Sequence, residues 1–102
     1  MAITKQFLKS KPVCKVTFLV PAEDVSGAKA VNVVGEFNDW DASATALKKQ
    51  KDGTFKGTVE LTTGKEYQFR YLLDSTNWAN DTEADKYVLN GISADENSVV
   101  VV

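Results

Sequence analysis

The chain of 102 residues contains no histidine. That removes the side chain that most often serves as general base near neutral pH and most often ligates transition metals. Nucleophile-and-base chemistry is nearly excluded with it. Cysteine occurs once, so Cys14 cannot form an internal disulfide; it shares strand parity with Val16, Phe18 and Val20, which makes it a buried structural thiol. Positive charge is not in excess: the formal net charge is −2, so no basic field collects phosphate backbones and nucleic acid is not an expected partner. The four early lysines Lys5, Lys9, Lys11 and Lys15 read as solubilising charges. No apolar run approaches the length of a membrane span, and MAITKQFLKSKPV lacks the apolar stretch of a signal peptide. A cytoplasmic location is expected, with no membrane contact. Glycine is sparse too: Gly27, Gly35, Gly53, Gly57, Gly64 and Gly91 fall one per turn or bulge and form no phosphate cradle.

Carboxylates are present but not arranged for chemistry. Glu36, Asp39, Asp41, Asp74, Asp81, Glu83 and Asp85 lie near the two tryptophans. A glycosidase pair needs two carboxyls roughly 5–9 Å apart across a cleft, with one desolvated. A small sheet protein offers faces and edges instead, and solvated or turn-forming roles are the expectation for all seven. The spacing of Asp81, Glu83 and Asp85 lacks the Gly and distant Glu of an EF-hand loop, so no metal and no cofactor are expected.

What the sequence does have is alternation. Short segments with a period of two, separated by turn residues at regular intervals, predict an all-β antiparallel sandwich of about seven strands in a single domain. The candidates are 13–20, ended by Pro21; 30–37; 45–50; 54–61; 66–73; a short recovery at 87–89; and 97–102. The stretch AEDVSGAK is a loop with room for one helical turn. Asp52 and Gly53 signal a hairpin. Gly35 falls on the inward parity of its strand, where a bulge or a close backbone approach is expected. Tyr67, Phe69, Tyr71 and Leu73 share one face of 66–73, which puts Arg70 with Gln68 and Leu72 on the other. The final strand is apolar throughout, so pattern alone does not set its register. Residues 1–12 form a partly ordered N-terminal arm preceding the sandwich at 13–102.

Trp40 and Trp78 stand in polar surroundings, NDW and DSTNWAND, which places both in turns. A flat ring among hydrogen-bonding side chains is a surface on which a sugar ring can lie. For Trp40 an equal alternative is a plug that folds over the end of the core. Trp78 has no apolar flanks to bury it.

The residues GEFNDWD, the hairpin at Asp52 and Gly53, YQFRYLLD, Trp78 and a last strand entered by Asn97 resemble carbohydrate-binding module family 48. This family includes the glycogen-binding domain of the AMP-activated protein kinase beta subunit and the N-terminal early-set domain of isoamylases and branching enzymes. The resemblance covers 13–102 and implies an immunoglobulin-like early-set sandwich. It further implies binding of α-1,4-glucans (glycogen, starch or malto-oligosaccharides) through Trp40, Arg70, Trp78 and Asn97, with Arg70 where kinase-type members usually carry Lys. Enzymatic relatives continue into a catalytic barrel, whereas Val102 falls where the last strand should end. The expectation is a free-standing, non-catalytic module. The alternative is a scaffold that docks in trans on a glycogen-metabolising enzyme.

Overall fold

Strand parity builds the core directly. In the computed structural model, which describes residues 1–25, 27–75, 77–89 and 96–102, nine strands are present: β1 (Ala2–Phe7), β2 (Val13–Val20), β3 (Val31–Gly35), β4 (Ala46–Lys49), β5 (Phe55–Thr62), β6 (Glu66–Leu73), β7 (Asn77–Ala79), β8 (Lys86–Leu89) and β9 (Glu96–Val101). All pairings are antiparallel, in the order β1-β2-β5-β4-β3-β6-β9-β8, with β7 beside β6. Strand β4 pairs with β5 through Lys48 and Lys49 and with β3 through Ala46 and Leu47, so one curled sheet supplies both layers. The fold is the immunoglobulin-like early-set β-sandwich that the sequence implied. Among the described residues no helix is long and apolar enough to cross a membrane.

The inward residues of β2 (Cys14, Val16, Phe18, Val20) meet Val31 and Val33 of β3, Phe55 and Leu61 of β5, Phe69 and Tyr71 of β6 and Val100 of β9. The alternation of these strands is therefore the interior itself. Phe18 is the aromatic centre: its ring lies 5.1 Å from Phe69 and 6.2 Å from Tyr71, and Phe37 stacks on it at 5.9 Å. Gly35 permits the close approach that its parity suggested, because a Cβ there would stand 2.5 Å from the Gln68 carbonyl oxygen and 2.7 Å from the Phe69 Cβ. The hairpin at Asp52 forms with Gly53 at φ +88°, and the Thr54 N–H donates to the Asp52 carboxylate.

Two sequence expectations change. Residues 2–7, read as part of an arm, form an edge strand paired with β2 along its whole length. Ile3, Lys5 and Phe7 alternate toward the core side of that strand, a pattern too short and too charged to read as a strand in isolation. Trp78 lies in a strand, not a turn, because Asn77–Ala79 completes the edge of β6 beyond the point where β9 stops. Gly91 and the rest of 90–95 lie outside the described residues.

Candidate functional site

The outer face of β6 and its neighbours carries three of the four sequence-predicted residues, Arg70, Trp78 and Asn97. Register places Arg70 opposite Val34, Leu72 opposite both Asn32 and Trp78, and Gln68 opposite Val99. Asn97 and Val99 share a parity, so one face holds Gln68, Arg70, Leu72, Trp78 and Asn97. Beneath the polar groups runs an apolar seam of Val34, Leu72 and Val99, all buried.

Arg70 and Trp78 meet directly. The guanidinium carbon lies 5.7 Å from the centroid of the indole, a cation–π arrangement across the β6–β7 diagonal. Trp78 remains 47% exposed, so the pair leaves indole surface open to solvent. Arg70 Nε is buried and has no hydrogen-bond partner among the described residues.

Asn97 joins this face differently from the free side chain that its role implied. It is only 5% exposed, and its Nδ2 donates to Gln68 Oε1 at 3.0 Å. It thus holds Gln68, two residues before Arg70 on the same face.

Trp40 is presented by a turn built for it. The Glu36–Asn38 helical turn follows β3 directly. The Asn38 side chain accepts from the Gly35 N–H at 3.0 Å and donates to Val33 O at 3.0 Å and Thr45 Oγ1 at 3.1 Å. Asp39 and Trp40 then adopt left-handed backbone at φ 56° and 58°, and the Trp40 N–H returns to Gly35 O at 2.9 Å. Trp40 is 41% exposed and stands outside the core cluster; Phe37 is the residue that closes the core there. Its ring stacks on no other aromatic among the described residues. The backbone of Trp40 is linked to this face through Gly35, the neighbour of Val34.

The turn around Trp40 also orders nearby carboxylates. The Ser43 N–H and hydroxyl both donate to Asp41 Oδ1 and hold the Asp41 carboxyl below the usual carboxylate range. Glu36 Oε1 accepts the Gln68 N–H at 2.6 Å. The Asp41 contact is the turn-forming role expected of it, whereas Glu36 holds the backbone of β6.

Asp81 departs from that expectation. It is 1% exposed, and its carboxylate accepts the Tyr71 hydroxyl at 2.6 Å and the Glu83 N–H at 2.7 Å. Burial, with the Asp81 charge added to it, pushes the Tyr71 phenol far above its ordinary value. Around the pair, Asp81 N–H donates to Ser98 Oγ, Tyr87 OH donates to Asp81 O, and the Asn80 amide bridges Glu96 and Ser98. Sequence reading missed this network. Its one available signal was Ser98, a polar residue inside the apolar run of the last strand.

Comparison with known proteins bears on the same residues. No curated protein matches the chain. The profile of carbohydrate-binding module 48, the isoamylase N-terminal domain, matches residues 15–89, a span that contains Trp40, Arg70 and Trp78 and stops before Asn97. Carbohydrate binding is the general function that such a match carries. With most of the sandwich and three of the four residues expected from the sequence inside the match, the chain belongs to the carbohydrate-binding module 48 family.

Proposed function

We propose that the protein binds α-1,4-linked glucan chains, such as those of glycogen, starch or malto-oligosaccharides, and performs no chemistry on them. The observation that carries this reading is the Arg70–Trp78 pair, in which a half-exposed indole lies beside a guanidinium on the same sheet face. A glucan matches both halves of the pair. The apolar face of a glucose ring lies on the indole, and a ring hydroxyl accepts from the guanidinium. Trp40 provides a second ring, and Asn97 supports the face between the strands by holding Gln68. A surface platform for a short oligosaccharide is expected to bind with a Kd of mM to μM, about −4 to −8 kcal/mol.

Native gel electrophoresis through glycogen tests the reading. Wild type should be retarded, and Trp78→Ala, shown to be folded by circular dichroism, should not. Equal mobility of wild type with and without glycogen would overturn glucan binding and favour docking on a glycogen-metabolising enzyme. Co-purification that survives amylase digestion would identify that partner.

A further inference from the structure

Strand β6 changes partner halfway along one edge. Glu66 to Phe69 pair with β9, and Tyr71 to Leu73 pair with β7. Strands β7 and β9 therefore lie end to end along β6, and among the described residues no ladder joins them to set their spacing. A three-residue strand paired on one side is weakly held by its own backbone. Yet β7 carries Trp78 and β9 carries Asn97.

Asn80 spans the junction. Its Oδ1 accepts the Ser98 N–H at 3.1 Å and the Ser98 hydroxyl at 2.9 Å, and its Nδ2 donates to Glu96 O at 2.7 Å. One side-chain amide thus offers an acceptor and a donor to the residues on either side of Asn97, as the peptide of a neighbouring strand would. The next residue fixes the same point from inside: Asp81 N–H donates to Ser98 Oγ at 2.9 Å while its carboxylate accepts from Tyr71 on β6. Three strands are tied together two residues past Trp78.

We propose that Asn80 is the positioning residue of the glucan platform. It fixes β7 against β9, so that Trp78 lies against Arg70 and at a set distance from Asn97, and a glucan chain meets both strands in one pose. Asn80 itself does not contact the ligand. The inference rests on the glucan-binding reading for its ligand, and on the junction alone for its geometry.

The test uses the ¹⁵N-labelled full chain and two variants. Asn80→Ala removes every bond. Asn80→Asp is nearly isosteric and keeps the acceptor for Ser98, but has no donor for Glu96 O. Both should keep the core amide resonances of Val16, Val33 and Phe69 in place while shifting the Trp78 indole N–H and the Arg70 Nε–H. Both should weaken maltoheptaose binding about tenfold or more, because a displaced platform loses contacts out of proportion to the displacement. Wild-type resonances and affinity in folded Asn80→Ala or Asn80→Asp would overturn the inference. If wild type itself does not bind maltoheptaose, the glucan reading fails, and the positioning role is decided by the two side-chain resonances alone.

Discussion

The guanidinium of Arg70 lies 5.7 Å from the centre of the Trp78 ring, although the two residues belong to strands whose register places Trp78 opposite Leu72. The contact is diagonal, within the reach of long side chains across an antiparallel pair. It gives the indole a fixed orientation at a surface where an unpaired ring would sample several rotamers. Among the described residues no carboxylate forms an ion pair with Arg70, so its charge is engaged in this contact by the indole alone.

Arg70→Ala should weaken maltoheptaose binding more than Arg70→Lys does, because lysine keeps a donor and a charge while losing the planar contact with Trp78. Isothermal titration would separate them. Binding by wild type should change little with salt, since sugar hydroxyls are uncharged.

Gly35 makes a prediction about stability alone. Its inward hydrogen lies where a Cβ would contact backbone of the neighbouring strand, not a flexible side chain that could yield. Gly35→Ala should therefore cost about 1–3 kcal/mol in urea denaturation, the range of overpacking in a closed core. Gly64, at φ +79° with open space around its Cβ position, should be limited by backbone strain alone. Gly64→Ala should cost about 1 kcal/mol.

Tyr71 and Asp81 form a buried pair with a pH signature. Tyr71→Phe leaves one carboxylate oxygen of a 1% exposed aspartate without its donor and should cost about 1–3 kcal/mol at neutral pH. Burial first, and the Asp81 charge second, raise the phenol in the folded state above its unfolded value. The resulting stabilisation is complete below about pH 10 and is lost as pH rises toward the folded value. Alkaline denaturation should accordingly be steeper for wild type than for Tyr71→Phe above that pH.

Much of this architecture was legible in the residues. The strands at 13–20 and 66–73 were given by alternation with their observed ends, because one face of each lies in or against the core and a slip of one residue would expose it. Parity alone put Arg70 outside and Phe69 and Tyr71 inside. What escaped depended on partners far away in sequence. Residues 2–7 become a strand only because β2 offers an edge, and Asn77–Ala79 only because β9 ends early along β6. The burial of Asp81 is of the same kind: a carboxylate in a stretch of polar residues reads as solvated unless Tyr71 and Ser98 are known to face it. At the site, the family resemblance supplied Asn97, but not its engagement with Gln68.

The N-terminal strand is fastened to the far side of the sandwich by one carboxylate. Asp85 Oδ2 accepts from Lys5 Nζ at 2.7 Å and from the Val101 N–H at 2.7 Å. Lys5→Ala removes a partly exposed ion pair and should cost less than about 1 kcal/mol. Asp85→Ala also strips the Val101 N–H of its acceptor and should cost about 1–2 kcal/mol. Partial burial pushes the Asp85 carboxyl up, but Lys5 and the Val101 N–H outweigh it and leave it below its ordinary value. The stabilisation is therefore present above about pH 4 and is lost as pH falls through the lower folded value. Lys5→Ala should flatten the acid limb of the stability profile.

Asn38 should act on binding only through Trp40. Two consecutive non-glycine residues in left-handed backbone are unfavourable by about 1–2 kcal/mol each, and the turn persists because Asn38 satisfies Gly35, Val33 and Thr45 at once. Asn38→Ala should cost about 1–3 kcal/mol of stability and lower glucan affinity, although the side chain points into the turn and not toward ligand. Trp40→Ala should lower affinity with a smaller effect on stability, since the ring is 41% exposed and lies outside the core. In the double variant, the affinity loss should equal that of Trp40→Ala alone. A further loss on adding Asn38→Ala would mean that the turn itself touches the glucan, whereas equality means that its three hydrogen bonds serve to aim one ring.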